Sequence, residues 1–307
     1  MDIGIVGLGR MGGNMARRLA RGGVRVVGFD PDAKVRGDLA AARVIEPAES
    51  VQALVRALAP QRVVWLMVPA GNVTELAIQD IWPELAAGDV IVDGGNAHYK
   101  DSERRAAALA SAGVRFVDCG VSGGVWGLEN GYALMYGADA DAARAIEPYA
   151  QVLAPAADEG WLHCGPPGSG HFVKMIHNGI EYGMMQAFAE GFALMKRKPG
   201  FDLDVAKIAE TWRHGSVVRS WLLDLTAEFL ARDAELADVA PVVADSGEGR
   251  WTVQEAVEQG LPAPVLTLAL MARFASQGGD DYANKMLAMM RKGFGGHAVQ
   301  SLPGHDG

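Results

Sequence analysis

The chain has 307 residues, enough for one large domain or two, and half of them are apolar against 21% charged, so a full core needs no metal or disulfide staple. A net charge of −9 without a Lys/Arg block excludes a nucleic-acid footprint, although a few convergent cations in a cleft would still hold an anionic substrate. No apolar run is long enough for a membrane span, the two cysteines (Cys119 and Cys164) form no framework, and no carboxylate cluster or His pair suggests a metal.

The first residues, MDIGIVGLG, enter a strand pattern at once, with no basic and then apolar leader; a cytoplasmic protein is expected. Short apolar runs at Asp2–Val6, Val24–Phe29, Val63–Val68, Val90–Asp93 and Arg115–Val117 read as buried strands. Helical patterns lie between them at Met11–Arg21, Ala48–Leu58, Val73–Leu85 and Ser102–Ala112. This alternation predicts a Rossmann-type, doubly wound, mainly parallel α/β sheet. Tyr132–Gly137 and Gly160–His163 add strands around a helix at Ala140–Leu153. After GPPGSG (165–170) the pattern becomes helical, at Phe172–Lys196, Val205–Glu210, Ser220–Arg232, Thr252–Gln259, Val265–Ser276 and Asp281–Arg291. The expected organisation is a dinucleotide-binding domain over 1–165 and an all-α domain over 166–307.

The first strand runs into Gly7-Leu8-Gly9-Arg10-Met11-Gly12, a G-x-G-x-x-G at a strand-to-helix turn. There the glycines let backbone approach a pyrophosphate resting on a helix N-terminus. The second strand ends in Asp30-Pro31. A carboxylate there binds the adenosine ribose hydroxyls and repels a 2′-phosphate, which favours NAD; Arg10 and Lys34 soften the preference, so NADP stays open. Strand ends at Val68-Pro69-Ala70 and at Asp93-Gly94-Gly95-Asn96 face the ligand crevice, with Asn96 either a polar contact or a turn-former. Gly120-Val121-Ser122-Gly123-Gly124 follows the next strand, as a small-anion loop or merely a flexible one.

The segment HFVKMIHNGIEYG (171–183) mixes an apolar helix with titratable groups. At 100° per residue, with Lys174 at zero, Asn178 falls near about +40°, Glu181 near about −20°, His177 near about −60° and Tyr182 near about +80°. The polar groups share one face, and Gly179 and Gly183 imply close packing behind them. A solvated face fits poorly beside bulky apolar neighbours. A cleft in which an amine and a carboxyl divide acid–base work fits better.

GLGRMG, DGGN, GVSGG, GHFVKMIHNGIEYG, DSGEGRWT and FGGH stand, over essentially the whole chain, in the order of the decarboxylating 6-phosphogluconate dehydrogenases, and the sequence resembles the short type of that family. A 3-hydroxyisobutyrate dehydrogenase would share the glycine turn, SGG and Lys-x-x-x-Asn, but not His177, Glu181-Tyr182 and the FGGH tail. The resemblance implies oxidation of 6-phosphogluconate with Lys174 as base and Glu181 as acid. It implies that Asn96, Ser122, Gly123, Gly124, His177 and Asn178 hold the carboxylate and hydroxyls. It assigns the phosphate to Tyr182, Arg273, Arg291 and His297, with the tail crossing into a second subunit of a homodimer or homotetramer. Longer members carry a phosphate-binding lysine where this chain has Ser246; either Ser246 keeps a hydrogen bond without the charge, or Arg250 compensates.

Overall fold

A computed structural model describes residues 1–278 and 281–295. Two compact units divide the chain, Met1–His177 and the remainder from Asn178.

The first unit opens with β1 (Asp2–Val6), α1 (Arg10–Arg21) and β2 (Arg25–Phe29). It continues through α2 (Ala33–Ala41), β3 (Glu46–Pro47), α3 (Val51–Arg56), β4 (Val63–Leu66), α4 (Asn72–Ile81), β5 (Val90–Asp93) and α5 (Tyr99–Ala110). β6 (Arg115–Ser122), a short α6 (Gly127–Asn130), β7 (Ala133–Gly137), α7 (Ala140–Leu153) and β8 (Trp161–Gly165) complete it, before α8 (Ser169–Lys196) begins. The strands form one sheet in the order β3-β2-β1-β4-β5-β6-β7-β8, parallel except for the β6–β7 pair. β1 is central, so the strand order reverses beside it and opens a crevice at the carboxyl ends.

Alternation along the strands explains the two-sided winding. Ile3, Ile5, Val90, Val92, Val117 and Cys119 face a core with Met15 and Leu19 of α1 and Ile146 of α7. Val6, Leu66, Ile91 and Phe116 point the other way, to Leu54 of α3, Ile78 of α4 and Leu109 of α5.

Three expectations need correction. α2 and β3 stand where the sequence reading leaves a gap; α2 buries only Leu39 and is started by Asp32 accepting the Lys34 N–H, and β3 has two residues, so neither leaves a periodic apolar signal. β4 ends at Leu66 rather than Val68. β6 continues to Ser122, because its last five residues pair antiparallel with β7 from Asp118↔Gly137 to Ser122↔Ala133. Gly120 and Ser122 are therefore strand residues and not a following loop.

From Asn178 the described elements are helices: the rest of α8, then α9 (Val205–Trp212), α10 (Trp221–Arg232), α11 (Glu248–Glu258), α12 (Pro264–Ser276) and α13 (Asp281–Gly295). One core joins Val205, Ala209, Leu223, Ala227 and Leu230 with Phe188 and Phe192 of α8. Another joins Tyr182 with Ala269 and Leu270.

Candidate active site

At the nucleotide end, Gly7 has φ +90, and a Cβ there would stand 2.5 Å from the Met67 carbonyl oxygen. A Cβ on Gly12 would stand 1.9 Å from the Gly7 carbonyl oxygen, so both positions require glycine. Gly9 is exposed, with open space where its side chain would be, and no side chain caps α1. The first N–H groups of α1, beginning with Arg10, Met11 and Gly12, lack intrahelical acceptors, and Gly9 lets an anion approach them. These residues fit a dinucleotide pyrophosphate.

Asp30 closes the same corner. Its Oδ2 accepts the Leu8 N–H at 2.7 Å and its Oδ1 accepts the Asp32 N–H at 2.9 Å, so it also braces the glycine turn. Pro31 is exposed beside it. After β4, Val68, Pro69 and Ala70 line the strand's end, and the Thr74 hydroxyl donates to the Pro69 carbonyl at 2.9 Å. After β5, Asp93 Oδ1 accepts the Gly95 N–H at 3.0 Å and Oδ2 meets Arg105 Nη1 at 2.8 Å. That buried pair fixes the turn that exposes Asn96. The sequence reading did not single out Asp93, Arg105 or Thr74; an aspartate ending a buried strand with an arginine two helical turns into α5 was the available signal.

β6 meets the start of α8 along one face of the strand. Asp118, fully buried, accepts the Gly168 N–H at 2.6 Å and the His171 N–H at 2.7 Å. Burial pushes the Asp118 carboxyl above its ordinary range, against the pull of His171 and these two N–H groups. The His171 Nδ1 lies 2.7 Å from the Ser102 hydroxyl of α5. A Cβ on Gly120 would stand 2.3 Å from Lys174 Cβ, so the lysine stem lies directly on strand backbone. Ser122 Oγ is 3.4 Å from His177 Nε2, and Gly123 and Gly124 follow at φ +132 and +52.

On α8, Lys174 and Asn178 are each 8% exposed, whereas Ile180 is 51% exposed; His177 and Glu181 are half-buried. The polar stripe is thus withdrawn from solvent and apolar residues stand outside, the reverse of a solvated charge face.

In the second unit Tyr182 is buried, with its hydroxyl 3.2 Å from Ser246 Oγ and donating to Asp245 Oδ1 at 3.4 Å. The Arg273 guanidinium lies 3.4 Å from the Tyr182 ring centroid and donates to the Ala244 carbonyl at 2.8 Å. Gly249 and Gly179 make room for this packing: a Cβ on Gly249 would strike the Tyr182 ring at 2.5 Å, and one on Gly179 would strike Thr252 at 2.6 Å. Ser246 donates to Glu248 at 2.5 Å, and Arg250 is paired with Asp245. Arg250 therefore does not stand as a spare charge beside Ser246. Arg291 is exposed on α13, and His297 lies outside the described residues.

The reversal of strand order beside β1, the anion-ready glycine turn and a buried lysine on α8 define a dinucleotide-dependent dehydrogenase. Residues 2–163 match the model of the NAD binding domain of 6-phosphogluconate dehydrogenase, and residues 170–300 match that enzyme's C-terminal domain. The chain belongs to the 6-phosphogluconate dehydrogenase family. It is 43% identical over 300 residues to the NAD(+)-dependent, decarboxylating 6-phosphogluconate dehydrogenase of Haloferax volcanii, covering 97% of this chain and 98% of the relative. It is 40% identical over 288 residues to the decarboxylating enzyme of Treponema pallidum, covering 90% of this chain and 59% of that longer protein. Among solved structures, 6-phosphogluconate dehydrogenase of Plasmodium falciparum, studied with NADP+ and with 6-phosphogluconate, superposes with a TM-score of 0.83 at 28% identity, covering 100% of this chain and 67% of that one. A 3-hydroxyisobutyrate dehydrogenase from Mycobacterium tuberculosis shares the fold at a TM-score of 0.70 and 23% identity, covering 91% of this chain and 93% of that one.

Proposed function

We propose that the chain oxidises 6-phospho-D-gluconate with NAD and decarboxylates it to D-ribulose 5-phosphate and CO2, a reaction of pentose phosphate metabolism. The observation that carries this reading is the withdrawn polar face of α8, with Lys174 only 8% exposed and laid on Gly120, in a chain that matches the family from end to end. Gly7, Gly9 and Gly12 with the start of α1 would hold the pyrophosphate, and Asp30 the adenosine ribose. NADP remains a usable alternative, since the Plasmodium relative was studied with it.

NAD, when bound, would supply the acceptor for the hydride that leaves C3 of the sugar acid. Lys174 takes the 3-hydroxyl proton as that hydride departs. As an ammonium, Lys174 then returns the proton to the 3-carbonyl oxygen while the C1–C2 bond breaks and CO2 leaves. Glu181 protonates the former C2, which becomes C1 of the product, and Lys174 takes back the enediol proton. Asn96, Ser122, Gly123, Gly124, His177 and Asn178 hold the carboxylate and hydroxyls, while Tyr182, Arg273, Arg291 and His297 serve the phosphate.

Residues 1–165 act as the dinucleotide-binding domain and 166–307 as the substrate domain. Apolar side chains left exposed on α8 and α12, including Ile180, Leu194, Val265 and Leu268, support burial against a second copy in a homodimer or homotetramer. Among the described residues no helix is long and apolar enough to cross a membrane, in keeping with a cytoplasmic enzyme. Purified protein given 6-phosphogluconate and NAD should release NADH and CO2 in equal amounts. NADH without CO2 would instead establish a β-hydroxyacid dehydrogenase of the 3-hydroxyisobutyrate type.

A further inference from the structure

The place of Lys174 depends on where its helix starts. Its helix starts against the sheet, held there by β6 of the first unit. Asp118 reaches from β6 to the Gly168 and His171 N–H groups, one with each carboxylate oxygen. Gly168, which precedes α8, has no side chain to cap it, and the Ser169 hydroxyl is buried without a hydrogen-bond partner, so a strand residue does the work usually given to a helix's own cap. The fit is close. A Cβ on Gly170 would stand 2.4 Å from the Asp118 carbonyl oxygen, and one on Gly137 would stand 2.6 Å from Asp118 Oδ1. His171 is fixed a second time, through its ring, by Ser102. One helical turn later comes Lys174, pressed on Gly120, which shares the strand face of Asp118.

We propose that Asp118, acting with Gly120, is a positioning residue that sets the register of α8 and so holds the Lys174 amine at the substrate's 3-hydroxyl. The proposal rests on Lys174 being the base, as argued above. An anion at the helix N-terminus is favourable in itself, but the consequence that matters is geometric. With one oxygen replaced by an amide NH2, Asp118→Asn can accept only one of the two N–H groups and sets a donor against the other. The helix start then loosens, and a misplacement on the order of 1 Å at the base costs up to about 10²-fold in rate.

The test is Asp118→Asn, assayed with 6-phosphogluconate carrying hydrogen or deuterium at C3. The expected result is a kcat lowered by roughly 10- to 100-fold, an NAD affinity within about twofold of the parent because the glycine turn is untouched, and a larger deuterium isotope effect on kcat. Loss of folded protein alone lowers kcat without moving the isotope effect, so the effect separates positioning from stability. Gly120→Ala, which drives a methyl into the Lys174 stem, should give the same signature and carries the test should Asp118→Asn fail to fold. An unchanged isotope effect in whichever variant is soluble, or an unchanged kcat, overturns the proposal. Lys174→Met, run alongside, separates the two ideas. An active Lys174→Met enzyme removes the base assignment itself, whereas an inactive one beside a normal Asp118→Asn removes only the positioning role.

Discussion

Arg105→Met is the sharpest probe of the frame under the nucleotide end. Arg105 is 2% exposed and Asp93 is fully buried. The arginine joins Asp93 Oδ2 at 2.8 Å and Glu75 Oε1 through Nε at 3.0 Å. Methionine fills much of the same volume but leaves the Asp93 carboxylate without its cation, held by the Gly95 N–H. Breaking a buried pair by removing one member costs about 3–5 kcal/mol, because the other charge stays uncompensated. At about 2–4 °C per kcal/mol for a unit of this size, the melting temperature should fall by about 6–20 °C. Thermal unfolding followed by circular dichroism measures it. The double variant Asp93→Asn/Arg105→Met removes the stranded charge and keeps an oxygen for Gly95, so it should recover roughly half of the loss. A single-variant shift under about 2 °C, or a double variant no better than the single one, would refute the reasoning.

Lys174→Met should lower the rate of NADH formation by about 10²–10⁴-fold, and near-normal turnover would show that another group is the base. Glu181→Gln should slow turnover with a smaller effect on the KM for 6-phosphogluconate; an effect confined to KM would make it a binding residue. Asp30→Ser should shift kcat/KM toward NADP relative to NAD, and should raise the KM for both because the Leu8 N–H loses its acceptor at 2.7 Å. An unchanged cofactor ratio would remove Asp30 as the discriminator. Burial pushes the Asp245 carboxyl up, but hydrogen bonds from Arg250 and the Gly247 N–H outweigh it and hold the group below the usual carboxylate range. A lowered pKa in the folded state gives stability that is present above the unfolded value and lost as pH falls through the folded one. Stability should therefore decline on acidification from the ordinary aspartate range downward, and Asp245→Asn should flatten that part of the curve; equal slopes in the two proteins would rule out this carboxyl.

Local pattern made most of the first unit legible. β1 and β5 were readable to the residue because buried parallel strands are continuous apolar runs between turn signals. The glycine turn was readable because Gly7 and Gly12 answer to steric limits a few residues away. What escaped depended on partners distant in the chain. The end of β6 is set by pairing with β7, and nothing between Val117 and Ser122 announces that partner. Asp118 goes unmarked in the sequence, since its partners lie 50 and 53 residues ahead. In the second unit the departure at Ser246 was visible, but not that Arg250 is taken up by Asp245, because i to i+5 pairing around a glycine turn follows no simple periodicity.

The meeting of β6 and α8 shows why a glycine stands beneath the lysine. From Asp118 to Ser122 the strand advances about 13 Å, whereas from His171 to Lys174 to His177 the helix advances about 9 Å. Three successive contacts along such mismatched rulers cannot be equivalent, and the side chains take up the difference. At the first contact a short carboxylate caps backbone N–H groups directly, which pins the helix end. At the last, a long imidazole and a hydroxyl reach across to 3.4 Å. Between them the elements come close enough that only backbone fits on the strand side, and there the Lys174 stem lies against Gly120. A stem held against backbone has few rotamers left, so the amine's position depends on the helix register. The lysine sits where the two elements leave least slack, and slack is left to His177, whose proposed task of holding a hydroxyl tolerates it better than proton transfer does.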